Sequence, residues 1–314
     1  MRKVRRWLRS LDIFHSTKGK VAKNVDEKLV KHILFFCSLF AIFIVLCMFT
    51  FILIEGFPVI IKYNLDFFLG KVWYPNPTEG EPKFGILPMI ISTLYVCSFA
   101  LLIATPIGIG TAIFLAEYAP EWCRNLIKTF CEMLVGIPSV VLGFFGLIVI
   151  VPWIRNTFGG YGSCILAGSI VLAIMTLPHI ISISEDALRA VPKEFKEASL
   201  ALGATKWQTL TKVLLPTASS GILASIILGL ANALGETMAV LMVVGNPNIP
   251  FIPKSILDPV RVLTSTIVID MRYAVWGSEH TQALFAIGVV LLFVVATFNL
   301  LTVKILKRGW IVKA

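Results

Sequence analysis

Between His32 and Ile54 the chain runs without a single Asp, Glu, Lys or Arg. About 20 apolar residues in a helix cross the hydrocarbon core of a bilayer, and in that medium only helices or closed barrels satisfy their own backbone polar groups. Five more apolar runs follow, at Phe84–Leu115, Phe130–Ile150, Ile165–Ile183, Thr217–Gly245 and Ala283–Val303. Each is too long for a strand, and six such runs predict an all-α polytopic membrane protein of six transmembrane helices. Composition agrees: 57% hydrophobic and 15% charged residues, with mean hydropathy +0.86, against about 45–50% and 25% in soluble domains. The expected organisation is a basic arm at 1–31, a membrane domain at 32–303 and a basic tail at 304–314. Loops at 55–83, 151–164 and 246–281 lie on one side of the membrane, and a polar loop at 184–216 lies on the other.

The charges orient this arrangement. The net charge of +10 invites a nucleic-acid reading, but no platform of aromatic and basic residues for a single strand accompanies it. Six spans put both termini and the loop at 184–216 on one side. Of the 28 Lys and Arg, 21 fall there: 10 in the arm, 2 in 117–128, 5 in 184–216 and 4 in the tail. Cytoplasmic loops carry such an excess, so both termini and the loop at 184–216 are expected in the cytoplasm. Val4, Trp7, Leu11 and Phe14 recur at helical spacing in the arm. That pattern fits a basic amphipathic helix on the membrane surface as well as a tail that only sets orientation. The apolar run behind the arm is too long for a cleavable signal peptide.

The stretch Glu197 to Pro216 is polar and basic between two apolar runs. Pro192 suits a first helical turn, and Glu194 and Glu197 suit the helix dipole there. Phe195, Ala198 and Leu202 share one helical face. Gly203 can end a helix in the left-handed conformation, and Thr205 with Gln208 forms a capping box that starts the next. A short helix, a glycine turn and a second helix closed by Pro216 are therefore expected at the membrane surface.

This stretch resembles the EAA loop in the membrane subunits of bacterial ABC importers. Glu197-Ala198, Gly203 and Leu215-Pro216 fall in the family's register, while Ser199 and Val213 replace an alanine and an isoleucine. The resemblance implies a type I ABC importer permease fold and a coupling helix, with Glu197, Ala198, Gly203, Ala204, Leu215 and Pro216 docking on a separate ATPase.

Three further segments narrow it: Phe84 to Ile90, Gly136 to Gly143, and Gly235 to Val240 running on to Gly245-Asn246. They resemble the C-type permease of the high-affinity phosphate ABC importers, over nearly the whole chain after the arm. Two departures stand out. Ser92 replaces a common glycine, and Asn232 replaces an arginine that relatives often carry four residues before Glu236. A carboxylate in a span is costly unless paired, protonated or wetted, and Asn232 offers it only a neutral hydrogen bond. Asn232, Glu236 and Thr237 are candidates for the translocation path or its gate. Pro138 and Ser139 are a second gate candidate, since a proline among glycines frees backbone groups within a span. The implied partners are an ATPase dimer, a second, A-type permease and an external phosphate-binding protein. The chain itself needs no cofactor, and ATP and Mg2+ belong to the partner ATPase.

No Walker A sequence, H-E-x-x-H or G-x-S-x-G occurs, so the chain is not expected to be an enzyme. Six cysteines without C-x-x-C and four scattered histidines suggest neither a redox pair nor a metal site. The same loop would serve an importer of sulfate, molybdate or an amino acid. A membrane-embedded transferase, or a scaffold without flux, stands further off. The acidic groups of the chain scatter and do not gather at one face.

Overall fold

The computed structural model describes residues 27–77 and 80–311, with side chains from 30 to 304. Residues 1–26, most of the basic arm, and 312–314 of the tail lie outside the described residues. The chain divides into two units, Met1–Ile54 and Glu55–Ala314. The described part of the first is apolar helix whose side chains are almost all exposed. That helix, α1 (Glu27–Leu69), continues into the second unit and kinks at Asn64, φ 45°.

The second unit continues with a two-stranded antiparallel hairpin, β1 (Trp73–Tyr74) and β2 (Lys83–Phe84). Then come α2 (Leu87–Glu117), α3 (Glu121–Gly136) and α4 (Ser139–Phe145), which passes through one π-turn at Gly146–Ile150 into α5 (Val151–Phe158). Next are α6 (Ile165–Arg189), α7 (Lys193–Ala201) and α8 (Lys206–Thr209), and a second π-turn at Leu210–Leu214 joins α8 to α9 (Leu215–Gly235). Three more helices close the fold: α10 (Met238–Val243), α11 (Leu263–Met271) and α12 (Glu279–Ile311). Six of these segments are long and apolar enough to span a bilayer: Val30–Leu69, Leu87–Glu117, Ser139–Phe158, Ile165–Arg189, Lys206–Gly235 and Glu279–Lys304.

The span count agrees with the sequence, but several boundaries move. Residues 117–128, expected as a turn, lead into α3, which carries Arg124 and Lys128 one turn apart on a polar flank. The third span begins at Ser139, so Pro138 precedes the span and does not break its middle. That span runs on to Phe158, inside the expected loop 151–164. Pro216 does not close the polar stretch but lies in the first turn of α9, within one helical run from Lys206 to Gly235. A proline inside a helix lacks an N–H and clashes with the carbonyl four residues back. The π-turn just before it widens the helix there. The loop 246–281 holds a buried helix, α11, because Leu263 N–H donates to Thr93 Oγ1 on α2 (3.1 Å) and Thr266 and Ser265 are buried.

The core forms where α2 meets α6. Ala100, Ala104, Gly108 and Ala112 lie four apart on one face of α2, all buried. Small residues at this spacing let membrane helices approach closely. A Cβ on Gly108 would stand 2.7 Å from Ile180 Cγ2 on α6, whereas one on Gly110 meets nothing within 4 Å. Gly108→Leu is therefore expected to cost about 1–3 kcal/mol through overpacking, and Gly110→Ala to be neutral or stabilising by up to about 1 kcal/mol. Thermal unfolding of the two variants in detergent checks the contrast.

A second cluster, with Phe67, Trp73, Ile86, Met89, Leu284 and Ile287, joins the end of α1 and the hairpin to α2 and α12. At its edge Asp270 Oδ2 accepts a hydrogen bond from Trp73 Nε1 (2.8 Å), and Arg261 donates to Asp270 Oδ1. His280 Nε2 lies 3.6 Å from the same carboxylate. All three charged or polar partners are buried, so one carboxylate ties the hairpin, the 246–262 loop, α11 and the start of α12.

Candidate functional site

The polar turn is built as its residues dictate. Pro192, with extended ψ of 137°, stands at the N-cap of α7. The helix ends in a Schellman arrangement: Gly203 takes φ +82°, its N–H bonds Leu200 O (3.0 Å), and Ala204 N–H bonds Ser199 O (3.2 Å). Two orphan carbonyls are thereby satisfied, and Ala204 contributes its backbone. Thr205 and Gln208 then cap each other. Gln208 N–H reaches Thr205 Oγ1 (3.2 Å) and Thr205 N–H reaches Gln208 Oε1 (2.9 Å). The Gly203 turn and the Thr205-Gln208 box expected from the sequence are both present.

Helix α7 buries none of its residues. Phe195 is 50% exposed, Leu202 90% and Trp207 66%, and Glu197 and Ala198 are exposed beside them. The turn thus carries an exposed apolar surface among charged side chains. Beneath it the turn is braced. Lys196 pairs with Glu117 at the end of α2, and Ser199 Oγ lies 3.0 Å from Thr209 Oγ1. Leu188 and Val191 pack with Leu210, Leu214 and Ala218 under the turn. Leu215 is half-buried and Pro216 exposed at the foot of α9.

The other candidates gather at two helix breaks. Ile137 and Pro138 are extended between α3 and α4. Glu236 is extended (φ −69°, ψ 128°) between α9 and α10, and its N–H bonds Ala233 O (3.3 Å). Asn232 and Glu236 are thus not one helical turn apart, as the sequence suggested, because α9 ends at Gly235. Glu236 Oε1 instead accepts Ala239 N–H in the first turn of α10 (3.3 Å), where negative charge meets the helix dipole. Among the described residues no ion pair includes Glu236. Asn232 is exposed at the end of α9.

The short helices after the two breaks lie against each other. A Cβ on Gly143 would meet Ala239 Cα at 2.7 Å, and one on Gly146 would meet Val243 Cγ1 at 2.9 Å. Residue numbers rise together along this contact, so α4 and α10 run parallel. The Pro138-Ser139 and Glu236-Thr237 breaks are therefore nearly level, offset by one to two residues. Beside the Glu236-Thr237 break a groove of about 390 Å³ is lined by Gly235, Thr237, Thr264 and apolar side chains of α9, α11 and α12. Thr264 Oγ1 donates to Glu236 O (3.2 Å) and holds this break open. The sequence contained every residue of this juxtaposition but nothing that paired α4 with α10. It also missed Lys196–Glu117 and the charges around Glu185, whose partners lie far apart in the chain.

Six apolar spans among the described residues, a small-residue core where α2 meets α6, an exposed braced turn and two paired breaks define the membrane-embedded subunit of an ABC importer. The fold matches a chain of the MetNI methionine ABC transporter with TM-score 0.55 at 21% identity, covering 71% of this chain and 95% of that one. Residues 104–311 match the family described as binding-protein-dependent transport system inner membrane component, and the chain belongs to that family. Similar proteins include the probable ABC transporter permease protein YqgH of Bacillus subtilis, 44% identical over 76% of each chain. The phosphate transport system permease protein PstC of Mesorhizobium japonicum is 36% identical over 77% of each. A probable phosphate transport system permease protein PstC of Methanocaldococcus jannaschii is 30% identical over 92% of this chain and 96% of its own.

Proposed function

We propose that the chain is one half of the membrane path of a phosphate importer and is driven through its polar turn by a separate ATPase. The observation that carries the mechanism is the turn around α7: a helix with no buried residue, closed by the Gly203 turn, with Phe195 on it and Leu202 and Trp207 just past it all exposed. The PstC relatives support phosphate as the cargo. Both termini and the turn lie in the cytoplasm, where an ATPase dimer holding ATP and Mg2+ receives α7. A second permease of the A type completes the path, and an external phosphate-binding protein docks on the segments at 70–83 and 246–281, which follow the first span and lead into the last. Closure of the ATPases moves α7, and each partner favours one of two states, as a population shift requires. Glu197, Ala198, Gly203, Ala204, Leu215 and Pro216 shape the docking turn. Pro138, Ser139, Asn232, Glu236 and Thr237 line the path or its gate.

The test is ATP hydrolysis by the reconstituted complex. Phosphate-loaded binding protein is expected to stimulate it, and sulfate- or molybdate-loaded proteins are not. Stimulation by either of those in place of phosphate would keep the architecture and overturn the cargo. Glu236 needs a cation in the assembled path, and the A-type permease supplies it. Glu236→Gln is accordingly expected to lower phosphate uptake into vesicles about tenfold, or about 1.4 kcal/mol in barrier, with assembly intact. Unchanged uptake would remove Glu236 from the path.

A further inference from the structure

Glu185 is the most deeply buried charge near the turn, with a side-chain exposure of 0%. It sits one turn before the end of α6, and three cations surround it. Arg124 Nε is 2.6 Å from Oε1, Lys128 Nζ is 2.9 Å from Oε2, and Arg189 Nη1 is 3.8 Å from Oε1. Two of them come from α3. A carboxylate out of water needs such compensation, so α3 and α6 are joined where the joint is hard to break.

Helix α3 has little else to hold it. Its one buried residue is Cys131, which meets Leu115 and Ile181 in a small cluster. Trp122, Phe130 and Met133 are exposed. The two ends of this joint lead to the two functional regions. Past Arg189, the chain enters the Pro192 cap of α7. Past Gly136, α3 enters the Pro138-Ser139 break and then α4, which lies on α10 beside Glu236.

We propose that Glu185 is a positioning residue that makes α3 follow the polar turn, so that movement of α7 reaches the Pro138-Ser139 break. This rests on the reading of α7 as the ATPase-docking helix. The apolar cluster of Leu188, Val191, Leu210 and Leu214 carries the movement into α6 and α9. Among the described residues, the Glu185 cluster, the neighbouring Lys128–Asp186 pair (3.5 Å) and the few contacts of Cys131 and Ile127 carry it into α3. With the carboxylate neutralised, the ATPases still dock and cycle on α7, while α3 and the break lag behind. ATP is then hydrolysed without phosphate crossing.

The experiment compares Glu185→Gln, Glu185→Asp and wild type in the complete complex in vesicles. It reads phosphate uptake and binding-protein-stimulated hydrolysis in the same preparation. In Glu185→Gln, hydrolysis is expected to stay within about twofold of wild type while phosphate moved per ATP falls about tenfold, with Glu185→Asp between the two. A wild-type ratio overturns the proposal, as does a fall of uptake and hydrolysis in parallel, which marks a merely structural staple. Where Glu185→Gln does not assemble, Arg124→Gln with Lys128→Gln decides by the same ratio: a lowered ratio supports the joint and a wild-type ratio overturns it. Failure of the docking reading shows separately, because wild-type complex would then give no stimulated hydrolysis.

Discussion

Gly203→Pro is expected to abolish binding-protein-stimulated ATP hydrolysis, by at least about tenfold, while the membrane core stays folded. Proline holds φ near −65° and has no N–H, but position 203 requires φ +82° and a donor for Leu200 O. The Schellman end of α7 cannot form, and the Thr205 cap that follows loses its entry angle. Nothing else depends on Gly203: a Cβ there meets nothing within 4 Å, and α7 buries no residue. The damage is therefore confined to the aim of Phe195, Leu202 and Trp207. Gly203→Asn separates conformation from chemistry, because asparagine tolerates the left-handed region. It is expected to keep at least about half of the stimulated rate. The measurement is hydrolysis in the reconstituted complex, together with thermal unfolding of the permease. Equal loss in both variants would make the turn's conformation irrelevant.

Asp270→Asn is expected to destabilise the fold by about 3–5 kcal/mol, the usual cost of leaving a buried charge without its partner. The amide still offers Trp73 an acceptor, so the loss isolates the charge on Arg261, whose side chain is 4% exposed. Replacing both members, Asp270→Leu with Arg261→Met, is expected to recover most of the loss, since apolar pairs of similar volume often match buried ion pairs. Acid acts on the same joint. Burial raises the Asp270 pKa, but His280, the Arg261 charge and the Trp73 N–H together outweigh it and hold the carboxyl below its ordinary range. A depressed folded value means the contribution is complete above the unfolded value, near about 3.9. It is withdrawn as pH falls from there through the lower folded value. Thermal unfolding is expected to show a drop below about pH 4 in wild type and a smaller one in Asp270→Asn.

Local chemistry was legible where its partners are neighbours in the chain. The partners of the Thr205-Gln208 box stand three positions apart, and the Gly203 turn closes on Ser199 and Leu200. The long apolar runs fix the number of spans because bilayer thickness sets helix length. Boundaries were less legible at prolines. Pro138 and Pro216 both mark a disturbed helix, but hydropathy does not say which side of the disturbance belongs to the span. At Pro138 the chain breaks, with Ile137 extended. At Pro216 a π-turn absorbs the strain and one helix continues from Lys206 to Gly235.

The class, the count of spans and the Gly203 turn with its Thr205 cap can be read from the residues alone. Those follow from solvation and backbone geometry, which act within a few residues or along one helix. Which breaks lie together and which charges meet emerges only from how the helices pack. Gly143 finds Ala239, Glu185 finds Arg124, and Asp270 finds Trp73 across 197 positions. Small residues permit close approach but name no partner. A buried charge demands a counter-charge but does not say from where, so the pairings waited on how the helices pack.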